Sequence, residues 1–222
     1  MEKSFGNNDL AITRYAIETF RPLDSKLNAI LENSSKAGLP AIQVGPMDGL
    51  HLEVLTRAFG ARSAVEIGTL GGFSGACIAR GLKAGGKLYT FDVNEKNALV
   101  AQKAFETAGL SDRVEILVGP ALENLPKIER HGPFDLVFID ADKQNYTNYF
   151  RWAAKHLRIG GAVLADNTFA FGFIADDTKA GDEKPSVQAL REFNKTVATD
   201  KRFRATILPT GEGLTLAVKI SD

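Results

Sequence analysis

The stretch from Ser63 to Gly75 limits the possible folds of this chain more than any other. It begins with apolar and β-branched residues, becomes glycine-rich, and passes directly into Ala76-Cys77-Ile78-Ala79-Arg80. That order is typical of a buried strand, a tight turn and the start of a helix. Glycines let the backbone approach a ligand closely, and the free N–H groups of the helix start favour polar or anionic ligand groups. The stretch therefore predicts a ligand-binding βα unit, although an ordinary βα turn can also use glycines for packing alone.

The spacing of the glycines distinguishes between kinds of ligand. Leu70 stands where a dinucleotide-binding G-x-G-x-x-G turn that starts at Gly68 has its second glycine. Glu66 lies two residues before Gly68, at the end of the predicted strand. A carboxylate at that place faces the ligand crevice and suits an ammonium group better than a pyrophosphate. The pattern favours S-adenosylmethionine over a nicotinamide dinucleotide.

Strand-like and helix-like segments alternate from residue 63 onward, with glycine-containing turns between them. We expect strands at residues 64–67, 87–92, 114–118, 134–139 and 162–165, and helices at residues 74–82, 95–108, 121–129 and 145–157. Such alternation predicts a doubly wound, Rossmann-like α/β sheet of parallel strands with right-handed crossovers. Residues 205–208 and 214–220 are joined by a short Pro- and Gly-containing turn, so they should form an antiparallel hairpin. The expected fold is a seven-stranded, mostly parallel sheet that ends in this hairpin.

Three helices are expected before the sheet, at residues 10–20, 23–37 and 47–59. The first two cannot bury their apolar faces alone, so they should pack on the main domain, on a partner subunit or over an active site. We find no internal repeat and no domain boundary. The sequence therefore predicts one domain over residues 1–222, in which residues 1–45 form a helical cover.

Charge and composition argue against several classes of function. Lysine plus arginine and aspartate plus glutamate each number 27, so the formal net charge is zero and no long basic run can follow a nucleic-acid backbone. The sequence shows no signal peptide and no apolar run of the ~18 residues that cross a bilayer. The single cysteine, Cys77, has no partner for an internal disulfide. We expect a cytoplasmic protein that binds neither nucleic acid nor a membrane.

Polar residues at the carboxyl ends of the strands are the candidate ligand contacts, because ligands of such sheets bind there. Asp92 ends the second strand, where an acid accepts hydrogen bonds from ribose hydroxyls. The alternative is that it caps the next helix, but Asn94 is better placed for that. Ala121 follows the third strand in a turn that would lie beside an adenine ring.

The ends of the fourth and fifth strands indicate a binding site more specifically than the ends of the second and third. The fourth ends in Asp140, and the fifth is followed by Asp166 and Asn167. Neighbouring parallel strands would bring these side chains to one edge of the crevice, and two carboxylates with a carboxamide suit Mg²⁺, Mn²⁺ or Ca²⁺. The alternative for each acid is helix capping or loop solvation. The three histidines lie away from strand ends, so zinc is not expected.

The chain resembles the cation-dependent, S-adenosylmethionine-dependent O-methyltransferases, which include caffeoyl-coenzyme-A and catechol O-methyltransferases and bacterial relatives. Three motifs carry the resemblance: Val65-Glu66-Ile67-Gly68-Thr69-Leu70-Gly71-Gly72-Phe73-Ser74, Phe134-Asp135-Leu136-Val137-Phe138-Ile139-Asp140-Ala141-Asp142-Lys143-Gln144-Asn145-Tyr146 and Asp166-Asn167-Thr168. The resemblance extends from about Tyr15 to Lys219. The second motif is the most specific of the three.

The resemblance implies a role for each candidate residue. It implies contacts to the methionine portion of S-adenosylmethionine from Val44, Glu66, Gly68 and Ser74, to its ribose from Asp92, and to its adenine from Ala121. It implies that Asp140, Asp166 and Asn167 hold a divalent cation, most simply Mg²⁺, with Asp140 also beside the cofactor. Lys143 matches the lysine proposed as general base in the catechol enzyme. It also implies a homodimer whose N-terminal helices help to cover the substrate.

The chain departs from the family where the acceptor is recognised. Ala170 replaces a tryptophan of the plant enzymes, residues 202–209 lack the acid of the animal enzyme, and residues 171–185 look like a variable lid loop. The implied activity is methyl transfer from S-adenosylmethionine to a hydroxyl of a catechol-type or caffeoyl-type aromatic acceptor with vicinal oxygens. A metal-independent methyltransferase and a nicotinamide-dependent oxidoreductase remain as alternatives.

Overall fold

Seven strands form one sheet in the computed structural model of the chain, which describes residues 10–222. The strands are β1 (Ser63–Ile67), β2 (Lys87–Asp92), β3 (Val114–Val118), β4 (Phe134–Ile139), β5 (Leu157–Ala165), β6 (Phe203–Leu208) and β7 (Leu214–Lys219). The helices are α1 (Leu10–Phe20), α2 (Ser25–Lys36), α3 (Pro46–Ala58), α4 (Phe73–Gly81), α5 (Glu95–Ala108), α6 (Ala121–Ile128), α7 (Tyr146–His156) and α8 (Lys184–Thr199). Residues 1–9, which belong to the predicted N-terminal cover, lie outside the described part.

The strand order is β3-β2-β1-β4-β5-β7-β6. The first five strands of the chain pair in parallel, and β7 pairs antiparallel with both β5 and β6. The predicted doubly wound sheet with an antiparallel end is therefore confirmed. The order reverses direction between β1 and β4, and ligands of such sheets bind at that reversal.

Residues alternate between the two faces of the sheet, and each face has its own apolar core. Val65 and Ile67 of β1 face the core beneath α6, α7 and α8, whereas Ala64 faces the core beneath α2, α4 and α5. Glu66 has the same parity as Ala64, so its carboxyl group is directed at the α4 side. This placement buries it completely.

The structure differs from the sequence-based expectation in two elements. Strand β5 begins at Leu157 and continues through Gly160 and Gly161, so it is longer than the predicted strand at residues 162–165. The pairing of β4 with β5 is irregular there, as expected where glycines stand inside a strand. Helix α8 was not predicted, although Val187, Leu190, Phe193 and Val197 have helical spacing and are buried against the sheet.

Helix α2 packs against the glycine-rich turn after β1. A side chain at Gly71 would collide with the hydroxyl of Ser34 in α2, so glycine is required for this contact. Asp24 caps α2 by accepting hydrogen bonds from the backbone N–H groups of Lys26 and Leu27, both at 3.0 Å. This helix therefore closes one side of the crevice. Within residues 10–222, no helix is long and apolar enough to cross a membrane.

Candidate active site

A cavity of about 760 Å³ opens at the carboxyl ends of β1, β2 and β4. Eight of the ten predicted site residues line it: Val44, Gly68, Ser74, Asp92, Ala121, Asp140, Lys143 and Asn167. The other two, Glu66 and Asp166, are buried and do not contribute to its lining. Topology thus brings together residues that are more than one hundred positions apart in the chain.

The glycine-rich turn forms one wall of the cavity. Gly68 has φ +105°, and a side chain there would collide with the main-chain oxygen of Asp140 at the end of β4. Leu70 is also left-handed, with φ +45°, and its N–H donates to Asp92 Oδ2 at 2.8 Å. The turn is therefore held in place by the acid predicted to bind ribose.

Asp92 also organises the start of α5. Its Oδ1 accepts hydrogen bonds from the Asn94 N–H at 2.8 Å and from Asn97 Nδ2 at 3.1 Å. Asn94 caps α5 by accepting from the Lys96 N–H at 2.9 Å, in agreement with the prediction that Asn94 is the cap. Asn97 Nδ2 also lies 3.3 Å from Asp92 Oδ2, so Asp92 is a rigidly held carboxylate on the wall of the cavity.

Glu66 lies beneath this wall in a network of hydroxyl groups. Its Oε2 accepts from Thr90 Oγ1 at 2.6 Å, and Thr90 Oγ1 lies 2.5 Å from Thr69 Oγ1. Its Oε1 has no hydrogen-bond partner within residues 10–222. Burial raises the pKa of Glu66 to about 8, opposed chiefly by the hydrogen bond from Thr90 and further by the nearby Ser74 hydroxyl. A buried carboxyl with an unsatisfied oxygen is suited to a cationic ligand group.

The raised pKa of Glu66 makes stability depend on pH in a defined window. Its ordinary value is 4.5 and its folded value about 8, so the folded protein holds a proton that the unfolded chain has released. The free energy of unfolding of the ligand-free protein should therefore fall as pH rises from about 4.5 to about 8. Glu66→Gln should flatten this dependence and raise the melting temperature at pH 8 relative to the wild type. Thermal unfolding between pH 5 and 9 measures both, and parallel curves for the two proteins would contradict the assignment.

Lys143 is the centre of polar contacts at the opposite end of the cavity. Its ammonium donates to Asn167 Oδ1 at 2.7 Å, to Asp140 Oδ1 at 3.2 Å and to the Tyr146 hydroxyl at 2.6 Å. Its side chain is 12% exposed. Two of the three predicted metal ligands thus converge on one cationic nitrogen.

Tyr146 completes this cluster, and sequence reasoning gave it no role. Its hydroxyl donates to the main-chain oxygen of Asp166 at 3.2 Å. Burial raises the pKa of Tyr146 well above its usual value, and the nearby carboxylates of Asp140 and Asp166 add to the shift. The signal was its three-residue spacing from Lys143 at the start of α7, which places both side chains on one side of the helix start.

The segment after β5 is fixed by the turn between β6 and β7. Thr168 N–H donates to the Gly213 oxygen and Phe169 N–H to the Glu212 oxygen, both at 3.0 Å. Asn167 itself has φ +59°, a left-handed conformation that asparagine tolerates better than most residues. The hairpin turn thereby sets the orientation of Asn167.

Aromatic and acidic residues also line the cavity. Tyr149 and Phe171 line it, and so do the carboxylate-bearing residues Glu183 and Glu212. Phe173, in contrast, packs against the apolar core instead of facing the cavity. One short 3-10 turn, Ala170–Gly172, lies at the start of the predicted lid loop of residues 171–185, and another, Gly181–Glu183, lies within it.

Comparison with known proteins identifies the family to which the sequence is similar. The O-methyltransferase family matches residues 19–220, nearly the whole chain. The chain belongs to the O-methyltransferase family. A catechol O-methyltransferase of Niastella koreensis is 38% identical over 206 residues, which cover 91% of this chain and 92% of that protein. A caffeoyl-CoA O-methyltransferase of Petroselinum crispum is 32% identical over 221 residues, covering 95% and 91%.

A solved structure extends the comparison to three dimensions. The O-methyltransferase of Bacillus cereus, determined in complex with SAH, has a TM-score of 0.87 and 40% identity, covering 94% of this chain and 97% of that one. The predicted resemblance and the predicted enzyme class, an S-adenosylmethionine-dependent O-methyltransferase, are confirmed by the family membership. Membership also decides against the nicotinamide-dependent oxidoreductase that the sheet alone allowed.

Proposed function

We propose that this O-methyltransferase moves the methyl group of S-adenosylmethionine to a hydroxyl of a catechol-type or caffeoyl-type small aromatic acceptor, with the help of a divalent cation. One observation carries the proposal. Lys143, Asp140 and Asn167 converge at one end of the cavity, and Asp92 stands on the wall at the other end. The cavity thus joins a place for a nucleoside to a place for a cation and an oxygen nucleophile.

The donor end fits S-adenosylmethionine in charge and in shape. Gly68 lets the backbone of β1 and β4 come together where a side chain would not fit. Glu66 lies beneath with an unsatisfied oxygen, suited to the ammonium of the methionine portion. Asp92 can accept hydrogen bonds from ribose hydroxyls beside Ala121, which would contact the adenine. The solved relative in complex with SAH supports this assignment.

The acceptor end fits a hard divalent cation in its donor chemistry. The oxygens of Asp140 and Asn167 already surround a cationic nitrogen, and Asp166 stands next in the chain. Within residues 10–222, no group of three or more His, Cys, Asp or Glu side chains has a metal-binding arrangement, and the proposed triad includes an amide. Two carboxylates and a carboxamide are ligands that Mg²⁺, Mn²⁺ or Ca²⁺ accept. When bound, such a cation would acidify a hydroxyl group and orient it.

The residues of the chain then have defined tasks in the reaction. A hydroxyl oxygen of the acceptor would attack the methyl carbon of the sulfonium, the carbon–sulfur bond would break with its electron pair going to sulfur, and Lys143, as a neutral amine, would take the hydroxyl proton. The turn at Gly68 and the acid Asp92 hold the donor, so the two reactants meet in a fixed geometry. Phe171 and Tyr149 offer apolar faces to a flat ring.

The choice of acceptor tests this proposal directly. A catechol should be methylated, and the matching monophenol, which has only one oxygen to offer to the cation, should show a kcat/KM lower by about 100-fold or more. Initial rates with both acceptors, with and without added Mg²⁺, provide the measurement. Equal kcat/KM for the pair would show that the acceptor is not selected through vicinal oxygens.

A homodimer is part of the proposal, following the family. Ile12, Tyr15 and Phe20 of α1 are exposed apolar side chains that a second subunit could cover. Light scattering of the purified protein at several concentrations distinguishes a dimer from a monomer.

A further inference from the structure

Tyr146 is a fully buried residue next to the proposed catalytic lysine, and none of the tasks above uses it. Its ring packs edge-on against Phe193 of α8, with 5.4 Å between ring centroids. Its hydroxyl donates to the main-chain oxygen of Asp166 at 3.2 Å and lies 2.6 Å from Lys143 Nζ, and the backbone N–H of Ala141 also donates to it. The phenol therefore links the lysine to the segment that holds Asp166 and Asn167.

The direction of each hydrogen bond follows from the number of protons. A phenol has one proton, and a carbonyl oxygen can only accept, so the Tyr146 proton is committed to Asp166. The oxygen of Tyr146 must then accept from Lys143. The ammonium of Lys143 has three donors, and the other two are directed at Asp140 and Asn167 on the cavity side.

We propose that Tyr146 is a positioning residue that holds Lys143 Nζ at the end of the cavity, beside Asp140 and Asn167. The buried ring of Tyr146 is fixed by its packing on Phe193, and its hydroxyl lies 2.6 Å from the lysine nitrogen. Without this hydroxyl, the nitrogen would keep only its contacts with Asp140 and Asn167. The inference rests on the proposed function of Lys143 as base.

Kinetics of Tyr146→Phe test the inference, since phenylalanine keeps the ring packing and removes only the hydroxyl. We expect kcat to fall about 10-fold, as for the loss of one hydrogen bond, with KM for the acceptor and the Kd for S-adenosylmethionine unchanged. In the Lys143→Met background the same substitution should have no further effect, because Tyr146 acts only through Lys143. Additive losses in the double variant would overturn the inference while leaving the proposed function intact.

Chemical labelling of Lys143 gives a readout that does not need turnover. The folded protein is treated with an amine-reactive reagent below its melting temperature, and modification at each lysine is followed by mass spectrometry. Lys143 should be labelled several-fold faster in Tyr146→Phe than in the wild type. Tyr89→Phe is the matched control, because Tyr89 on β2 stacks on His131, away from the lysine. Unchanged reactivity of Lys143 would overturn the inference even if Lys143→Met were inactive. Full activity of Lys143→Met would overturn the base role, and with it the inference that Tyr146 positions a catalytic group.

Discussion

Asp166→Ala and Asn167→Ala are each expected to lower kcat/KM for a catechol about 10³-fold, and removal of divalent cations should abolish turnover of the wild type. The expectation follows from the donor set: only three side chains are proposed to hold the cation, and each substitution leaves two. Asn167 Oδ1 already accepts a hydrogen bond from the Lys143 ammonium at 2.7 Å, so this oxygen stands at the point where positive charge is favoured. Loss of one preorganised electrostatic contact in an active site lowers the reaction rate by factors of this size.

The measurement separates loss of the cation from loss of the fold. Methyl transfer is followed over a range of Mg²⁺ and Mn²⁺ concentrations after chelation, and S-adenosylmethionine binding is titrated by calorimetry for each variant. Asp112→Ala is the control, since it removes an exposed carboxylate that lies before β3, outside the residues lining the cavity. A chelated wild type that still methylates a catechol at full rate would favour the metal-independent alternative.

Lys143→Met should lower kcat by about 10²-fold or more, because methionine keeps the length of the side chain and removes the proton acceptor. The Kd for S-adenosylmethionine should stay unchanged, as Lys143 contacts groups at the acceptor end of the cavity. The loss should shrink for acceptors with a more acidic hydroxyl, which need less help in losing the proton.

Two further variants show what kind of contribution Lys143 makes. Lys143→Arg keeps the positive charge but cannot act as a base at neutral pH, so it should be as inactive as Lys143→Met if proton transfer is the role. Lys155→Met changes an exposed lysine of α7 and should behave as the wild type. Normal kcat for Lys143→Met across the whole acceptor series would limit Lys143 to substrate positioning.

Much of this fold follows from patterns that are local in the sequence. Each strand of the parallel sheet is a short apolar run, and strand-end acids such as Asp92 and Asp140 reach the crevice by topology alone. Helix α8 was not predicted, although its buried residues have helical spacing, because it lies between the predicted lid loop and the hairpin and interrupts the strand–helix alternation on which the prediction rested. Strand β5 was cut short because Gly160 and Gly161 signal a turn locally, whereas the sheet holds them in an irregular extended strand.

The parts of the site that escaped prediction depend on contacts between distant segments. The hydrogen bond from the Thr168 hydroxyl to the Gly213 oxygen joins residues 45 positions apart, and no local sequence pattern predicts it. The proton direction at Tyr146 likewise depends on a main-chain oxygen of Asp166, twenty positions away. The sequence predicts which groups meet at the end of the sheet, but the hydrogen bonds that orient them appear only once the strands are assembled.

The place of β7 in the sheet has a consequence for how the enzyme is made. Strand β7 lies between β5 and β6, yet it follows both in the chain. During synthesis β5 and β6 therefore have a gap between them until residues 214–219 can pair with both strands. A chain that stops before β7 would hold unpaired strand edges beside the segment that carries Asn167, so we expect a competent crevice only after β7 has joined the sheet.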